Sequence, residues 1–164
     1  MDIHKLPEVL PGCESFEKLI KSNAYYVDKT FYLNTLFMER CAKNTFITRP
    51  GRFGKTMNLS MIKAFCELNY KNPGDTSYQQ KLFIDNGRNF AVAQDEYKEL
   101  RDKVMGQLPV IYVSFRGVEG DEFYIAVNNL VYIIGKLYEN FLFLLQSSKI
   151  SDGNKLFLNV FMIL

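Results

Sequence analysis

The most informative part of this 164-residue sequence reads Thr48-Arg49-Pro50-Gly51-Arg52-Phe53-Gly54-Lys55-Thr56. Before it, Thr45-Phe46-Ile47-Thr48 has the β-branched and aromatic character of a short buried strand. After it, apolar residues recur at three- and four-residue steps and predict an amphipathic helix, at Met57, Met61, Phe65 and Leu68. A glycine-containing loop between a strand and a helix is the setting of a phosphate-binding loop.

The residue types in this loop suit a phosphate ligand. The backbone N–H groups of a tight loop converge on phosphates, and the N-terminus of the following helix favours anions. Lys55 would reach the β- and γ-phosphates, and the Thr56 hydroxyl would ligate Mg²⁺. The pattern G-x-x-x-x-G-K-[ST] is imperfect, because Arg49 stands where its first glycine belongs, although Gly51 restores some backbone freedom. The alternative is a basic surface turn that precedes a helix.

The order strand, helix, irregular insertion, strand, helix predicts an α/β fold with a parallel sheet. The second strand is expected at residues 110–115, beside Phe46-Ile47, and Asp121 is expected to cap a helix that runs to about Gln146. Ser15 is expected to cap a short amphipathic helical turn, and a further helix is expected near Asp95 to Met105. The last ten residues, Lys155 to Leu164, are apolar without a polar close. We therefore expect a three-layer sandwich that is incomplete at its C-terminus.

The loop resembles that of the AAA-ATPase-like family of uncharacterised, mostly bacterial proteins, which reads Arg-Pro-x-Arg-Phe-Gly-Lys-[Ser/Thr]. The similarity extends to further segments, namely Leu6-Pro7 with Phe16, Tyr26-Val27-Asp28-Lys29-Thr30, Leu59-Ser60-Met61 with Phe65, and Pro109-Val110-Ile111 with Ser114-Phe115. Gly51 departs from the arginine common in the family and so removes one cation. The resemblance implies a P-loop NTPase-like module that binds ATP and Mg²⁺ through Arg49, Pro50, Gly51, Arg52, Phe53, Gly54, Lys55 and Thr56, with Thr56 as the metal ligand.

In that family an apolar strand ending in Asp-Glu acts as Walker B, and a PD-(D/E)xK nuclease-like domain often follows. The strand-like segments here end at Thr48 and Phe115 without an acidic pair, and a solvated face better explains the acids of the insertion, Asp85, Asp95 and Glu96. We expect residues 1–164 to form a single N-terminal domain that stops before the Walker B strand. We therefore expect this chain alone to bind ATP with little or no hydrolysis. The alternatives are an ATPase completed by a partner chain and a non-binding fragment that acts as an interaction module.

Composition and charge narrow the class of protein. With 48% hydrophobic and 23% charged residues, the chain is globular and not disordered or collagen-like. Its net charge of +2 indicates no nucleic-acid partner. The apolar segment 123–145 is interrupted by Asn128, Asn129, Lys136, Glu139 and Asn140, which favours a buried helix over a membrane span. Uncovered apolar surface at the C-terminal end favours a protein partner or self-association.

The three cysteines, Cys13, Cys41 and Cys66, are too widely spaced for a zinc site, and His4 is the only histidine. They are expected to be reduced thiols of a cytoplasmic protein, two of them in the core. Tyr25, Tyr26 and Asp28 precede the loop, where they could contact an adenine base; the alternative is that Tyr26 and Val27 simply pack beneath the loop. Arg116 either points toward the phosphates or is an exposed loop arginine.

Overall fold

The computed structural model describes residues 7–39 and 44–146. The expectations for His4, Cys41 and the apolar end at Lys155–Leu164 lie outside the described residues. The chain divides into two compact units, Met1–Val110 and Ile111–Leu164.

The predicted α/β sandwich with a parallel sheet is wrong. No segment of residues 7–39 and 44–146 forms a strand, and β-type pairing there is an isolated parallel bridge between Glu67 and Leu108. Both expected strands are irregular and expose much of their apolar surface, with Phe46 90% exposed and Ile111 69% exposed, although Ile47 is half-buried and Val110 packs against the core. Strand propensity becomes a strand only when a neighbouring strand pairs with it, and no described residue provides such a strand here.

The first unit is built from short helices joined by turns. Its α-helices are α1 (Phe16–Lys21), α2 (Tyr32–Asn34), α3 (Lys55–Cys66), α4 (Ser77–Gln79) and α5 (Lys98–Val104). π-Helical turns extend α2 and α4 over Thr35–Glu39 and Gln80–Ile84, and 3₁₀ turns at Ala91–Ala93 and Asp95–Tyr97 precede α5. The predicted helices after Ser15, after Gly54 and near Asp95 are therefore confirmed, with shifted ends.

Helix α1 begins as its sequence predicts. The Ser15 hydroxyl accepts a hydrogen bond from the Lys18 backbone N–H at 3.3 Å, and this N-cap typically contributes about 1 kcal/mol. The apolar face of α1 is buried, and it consists of Phe16, Leu19 and Ile20. The Phe16 backbone N–H donates to the Ser60 hydroxyl at 3.0 Å, which ties α1 to the middle of α3.

The core of the first unit is rich in aromatic side chains, and the C-terminal half of α3 packs into it. Phe83 stacks on Phe16 with ring centroids 5.0 Å apart and meets Phe65 edge-on at 5.1 Å. Such ring pairs add about 0.5–1.5 kcal/mol each to the stabilisation from burial. Met61, Ala64, Phe65 and Cys66 are buried, whereas Thr56 at the start of α3 is exposed. The helix is thus anchored at one end and presents its N-terminus at the surface.

The second unit contains α6 (Phe123–Glu139), followed by a 3₁₀ turn at Leu142–Gln146. Its N-cap is Glu122 instead of Asp121, without a side-chain hydrogen bond, and α6 ends at Glu139 and not near Gln146. None of its residues is fully buried, so the expected buried helix is not found in the described part of the chain. Among the described residues, every helix is too short or too polar to cross a membrane.

Candidate phosphate-binding loop

Gly54 is the turning point between the loop and α3. It is the N-cap of the helix and has φ 76° and ψ 20°, a left-handed conformation that costs glycine little. The carbonyl of Gly54 accepts from the Asn58 backbone N–H at 2.9 Å, which closes the first turn of α3. No side chain of the described residues caps this helix, so the N–H groups of its first turn can bind solvent or a ligand.

The Lys55 side chain folds back across the loop. Its ammonium donates hydrogen bonds to the backbone carbonyls of Arg49 at 2.6 Å and of Pro50 at 2.8 Å. The positive charge is therefore held against the loop instead of extending into solvent. It lies at the end of α3 where the helix dipole is also positive, so the two favour an anion together.

Two cavities open on either side of Lys55. The first, of about 660 Å³, lies between the segment 11–14 and the start of α3, and Arg52, Gly54, Lys55 and Thr56 line it. The second, of about 700 Å³, is more aromatic and is lined by Lys29, Phe31, Tyr32, Phe46, Ile47, Thr48, Arg49, Phe53, Lys55 and Asn58. Both volumes lie within the range of about 300–1,000 Å³ that is typical of small-molecule sites.

The eight residues proposed from the sequence are thus distributed around Lys55. Seven of them line a cavity or, in the case of Pro50, offer a carbonyl to the Lys55 ammonium. Gly51 lines neither cavity, and nothing lies within 4 Å of the position that a Cβ would occupy there. The loop is therefore a cationic, largely backbone-built surface whose chemistry suits an anionic ligand.

Acidic side chains are scarce around this loop. Among the described residues, Glu14 is the one acid that lines either cavity, and Asp85, Asp95 and Glu96 line neither. Across residues 7–39 and 44–146, no group of three or more His, Cys, Asp or Glu side chains is placed to hold a metal ion. Any metal near Thr56 would depend on ligands that the nucleotide itself supplies.

Tyr26 packs against the core of the first unit and lines neither of the two cavities. Its hydroxyl donates to the Met61 sulfur at 3.4 Å, and its ring meets Phe16 edge-on with centroids 5.2 Å apart. Burial is the main cause that raises the pKa of the Tyr26 hydroxyl, with a smaller contribution from the Asp28 charge. Of the two interpretations of this residue, the structure supports packing.

Sequence reasoning missed Lys29 as a member of this site. A Cβ built on Gly54 would lie 3.7 Å from the Lys29 ammonium nitrogen, so the two residues are close neighbours. Lys29 and Lys55 also line the same cavity. The signal was present in Tyr26-Val27-Asp28-Lys29-Thr30, which carried part of the family resemblance, but no local rule connects position 29 with position 54.

Comparison with known proteins gives one match. The family model named AAA-ATPase_like, described as a predicted AAA-ATPase, matches residues 11–161, a range that includes the loop and both lysines. No curated protein and no solved structure matches the chain.

Proposed function

We propose that this chain, which belongs to the AAA-ATPase-like family, binds ATP with Mg²⁺ at the loop formed by residues 49–56. The observation that carries the proposal is the Lys55 ammonium, which lies on two loop carbonyls at the N-terminus of a 12-residue helix. The Lys55 ammonium can bind an anion at this point. The first-turn N–H groups of α3, which no side chain of the described residues caps, can bind the same anion.

Three residues of the loop and the first-turn N–H groups have defined roles in this proposal. Lys55 exchanges neutral carbonyl acceptors for the charged oxygens of the β- and γ-phosphates, which adds attraction between opposite charges to its hydrogen bonds. The backbone N–H groups at the start of α3 bind phosphate oxygens, and the left-handed Gly54 aims them. Thr56, which is exposed at the helix start, offers its hydroxyl as a ligand to Mg²⁺. The bound metal supplies neutralisation of phosphate charge.

Binding without efficient turnover is the second part of the proposal. Phosphoryl transfer needs a carboxylate near the metal and a group that orients the attacking water. In the part of the chain that the structure describes, Glu14 is the one acid found along the two cavities, and it belongs to the segment before α1. One carboxylate cannot fill both roles at once, so the chain alone is expected to hold ATP and not to consume it.

Calorimetric titration with Mg²⁺-ATP tests the binding site. We expect Lys55→Ala to weaken binding by about 2 kcal/mol or more, a factor of about 30, because a charged hydrogen-bond donor to the phosphates is lost. Lys71→Ala is the matched control, since Lys71 is exposed and lines neither cavity. Equal affinity of the parent and Lys55→Ala for ATP would remove the basis of the proposal.

A further inference from the structure

We infer that Lys29 is a second cation that contacts the phosphates of the bound nucleotide, and that the segment Tyr26-Val27-Asp28-Lys29-Thr30 holds it in place for that purpose. This inference rests on the proposed function, because it assigns a further ligand contact to the same site. It also gives a role to a segment that the loop pattern alone leaves unexplained.

The position of the Lys29 ammonium is the first argument. It lies 3.7 Å from the place where a side chain on Gly54 would begin, and Gly54 is the N-cap of α3. It lines the second cavity together with Arg49 and Lys55. An anion bound by Lys55 and the first-turn N–H groups is therefore within reach of Lys29 as well.

The charge balance is the second argument. Among the described residues, four cations line the two cavities, namely Lys29, Arg49, Arg52 and Lys55, and Glu14 is the one acid there. In the same part of the chain, no carboxylate is within salt-bridge distance of the Lys29 ammonium and no acceptor hydrogen-bonds it. Four positive charges with one carboxylate among them repel one another, and a bound polyanion relieves that repulsion.

The backbone on either side of Lys29 is the third argument. The Asp28 carboxylate accepts from the Thr30 N–H at 2.8 Å and from the Ala91 N–H at 2.7 Å. The Thr30 hydroxyl, at 0% exposure, accepts from the Val92 N–H at 3.1 Å. Both neighbours of Lys29 are thus tied to the Ala91–Ala93 turn, which fixes where its side chain begins and lowers the entropy lost on binding.

The test is a titration of Mg²⁺-ATP into four proteins at several salt concentrations: the parent, Lys29→Gln, Lys29→Arg and Lys71→Gln. We expect Lys29→Gln to weaken binding about tenfold or more, since a charged hydrogen-bond donor is lost. The affinity of Lys29→Gln should also fall less steeply with added salt, because one fewer charge is screened. Lys29→Arg should keep most of the affinity and the steeper salt dependence, and Lys71→Gln should match the parent.

The outcomes separate this inference from the proposed function. If the parent binds ATP and Lys55→Ala does not, but Lys29→Gln keeps the affinity and salt dependence of the parent, then Lys29 is a surface lysine and the inference is overturned alone. A parent that fails to bind ATP overturns both. Thermal unfolding checks that each variant is folded, and Lys29→Met, which keeps the length of the stem without its charge, repeats the measurement if Lys29→Gln unfolds.

Discussion

Two thiols of the first unit, those of Cys13 and Cys66, differ in how accessible they are to solvent. Cys13 is half-buried and lines the first cavity with Lys55 and Thr56, while its thiol donates to the Ser15 carbonyl at 3.4 Å. Cys66 is 2% exposed in the core, and burial raises the pKa of its thiol to about 12. Because the thiolate is the reactive form, Cys66 stays protonated and shielded at neutral pH. Burial of Cys66 confirms one of the two core thiols predicted.

This difference predicts a chemical footprint of the ligand. With a maleimide at neutral pH, we expect Cys13 to be modified and Cys66 to stay unmodified in the folded protein. Saturating Mg²⁺-ATP should slow modification of Cys13 several-fold, because the ligand covers the cavity that Cys13 lines. Peptide-resolved mass spectrometry reads each cysteine separately, and Lys55→Ala is the control that should lose the protection. A parent that binds ATP yet labels Cys13 at an unchanged rate would place the ligand elsewhere.

Single residues also show what could be predicted from sequence in the site. The conjunction of Gly54 and Lys55 at the start of a helix was predictable, since left-handed freedom and apolar periodicity are local properties. The approach of Lys29 to Gly54 could not be predicted, because it depends on the hydrogen bonds that tie Asp28 and Thr30 to the Ala91–Ala93 turn. The role of Tyr26 was open for the same reason.

Helices and strands differ in how far local pattern determines them. Helices α1 and α3 could be predicted because each satisfies its own backbone hydrogen bonds and needs only one apolar face to be covered. The segments at 45–48 and 110–115 have equally clear β-propensity, yet a strand requires a partner that sequence periodicity cannot supply. Since the described backbone there is unpaired and irregular, the predicted sheet failed while the helix after the loop was confirmed.

The junction between α5 and α3 depends on Gly106. This residue has φ 66°, and its N–H donates to the Phe65 carbonyl at 2.8 Å near the end of α3. A Cβ there would meet the Thr76 methyl at 3.0 Å and the Gln79 amide carbon at 3.3 Å. Gln79 is buried, and its amide nitrogen donates to the Glu67 carbonyl at 2.9 Å. A displaced Gln79 would therefore break a second tie to the end of α3.

We expect Gly106→Ala to lower the free energy of unfolding by about 2 kcal/mol or more, which combines the cost of a positive φ with that of a crowded neighbour. Gly74→Ala is the matched control, because Gly74 has φ 93° but nothing within 4 Å of its Cβ position. It should lose only about 1 kcal/mol. Urea denaturation of both variants measures the difference, and equal losses would show that the space around Gly106 relaxes without cost.

At the scale of the whole chain the net charge is small, but positive charge is concentrated locally. The net charge is only +2, yet among the described residues four cations and one acid line the two cavities beside Lys55. An anionic ligand would therefore be attracted to this region although the chain as a whole carries little net charge. Composition alone, which indicated no nucleic-acid partner, could not reveal this concentration of charge.

The same distribution of charge leads to an expectation about turnover. Cations and free N–H groups bind the ground-state phosphates, but a rate enhancement requires groups that act mainly on the transition state. Glu14 is the one acid that residues 7–39 and 44–146 place beside the two cavities, so we expect the 164-residue chain to release phosphate from ATP at a rate close to that of a blank. A steady-state phosphate-release assay with Mg²⁺-ATP measures this, with Lys55→Ala as the control for contaminating ATPases. Turnover at about 1 s⁻¹ or more that is lost in Lys55→Ala would contradict the expectation and make the chain a working ATPase. In that event Glu14→Gln decides the origin of the activity: loss of turnover with retained ATP binding would assign the catalytic carboxylate to Glu14.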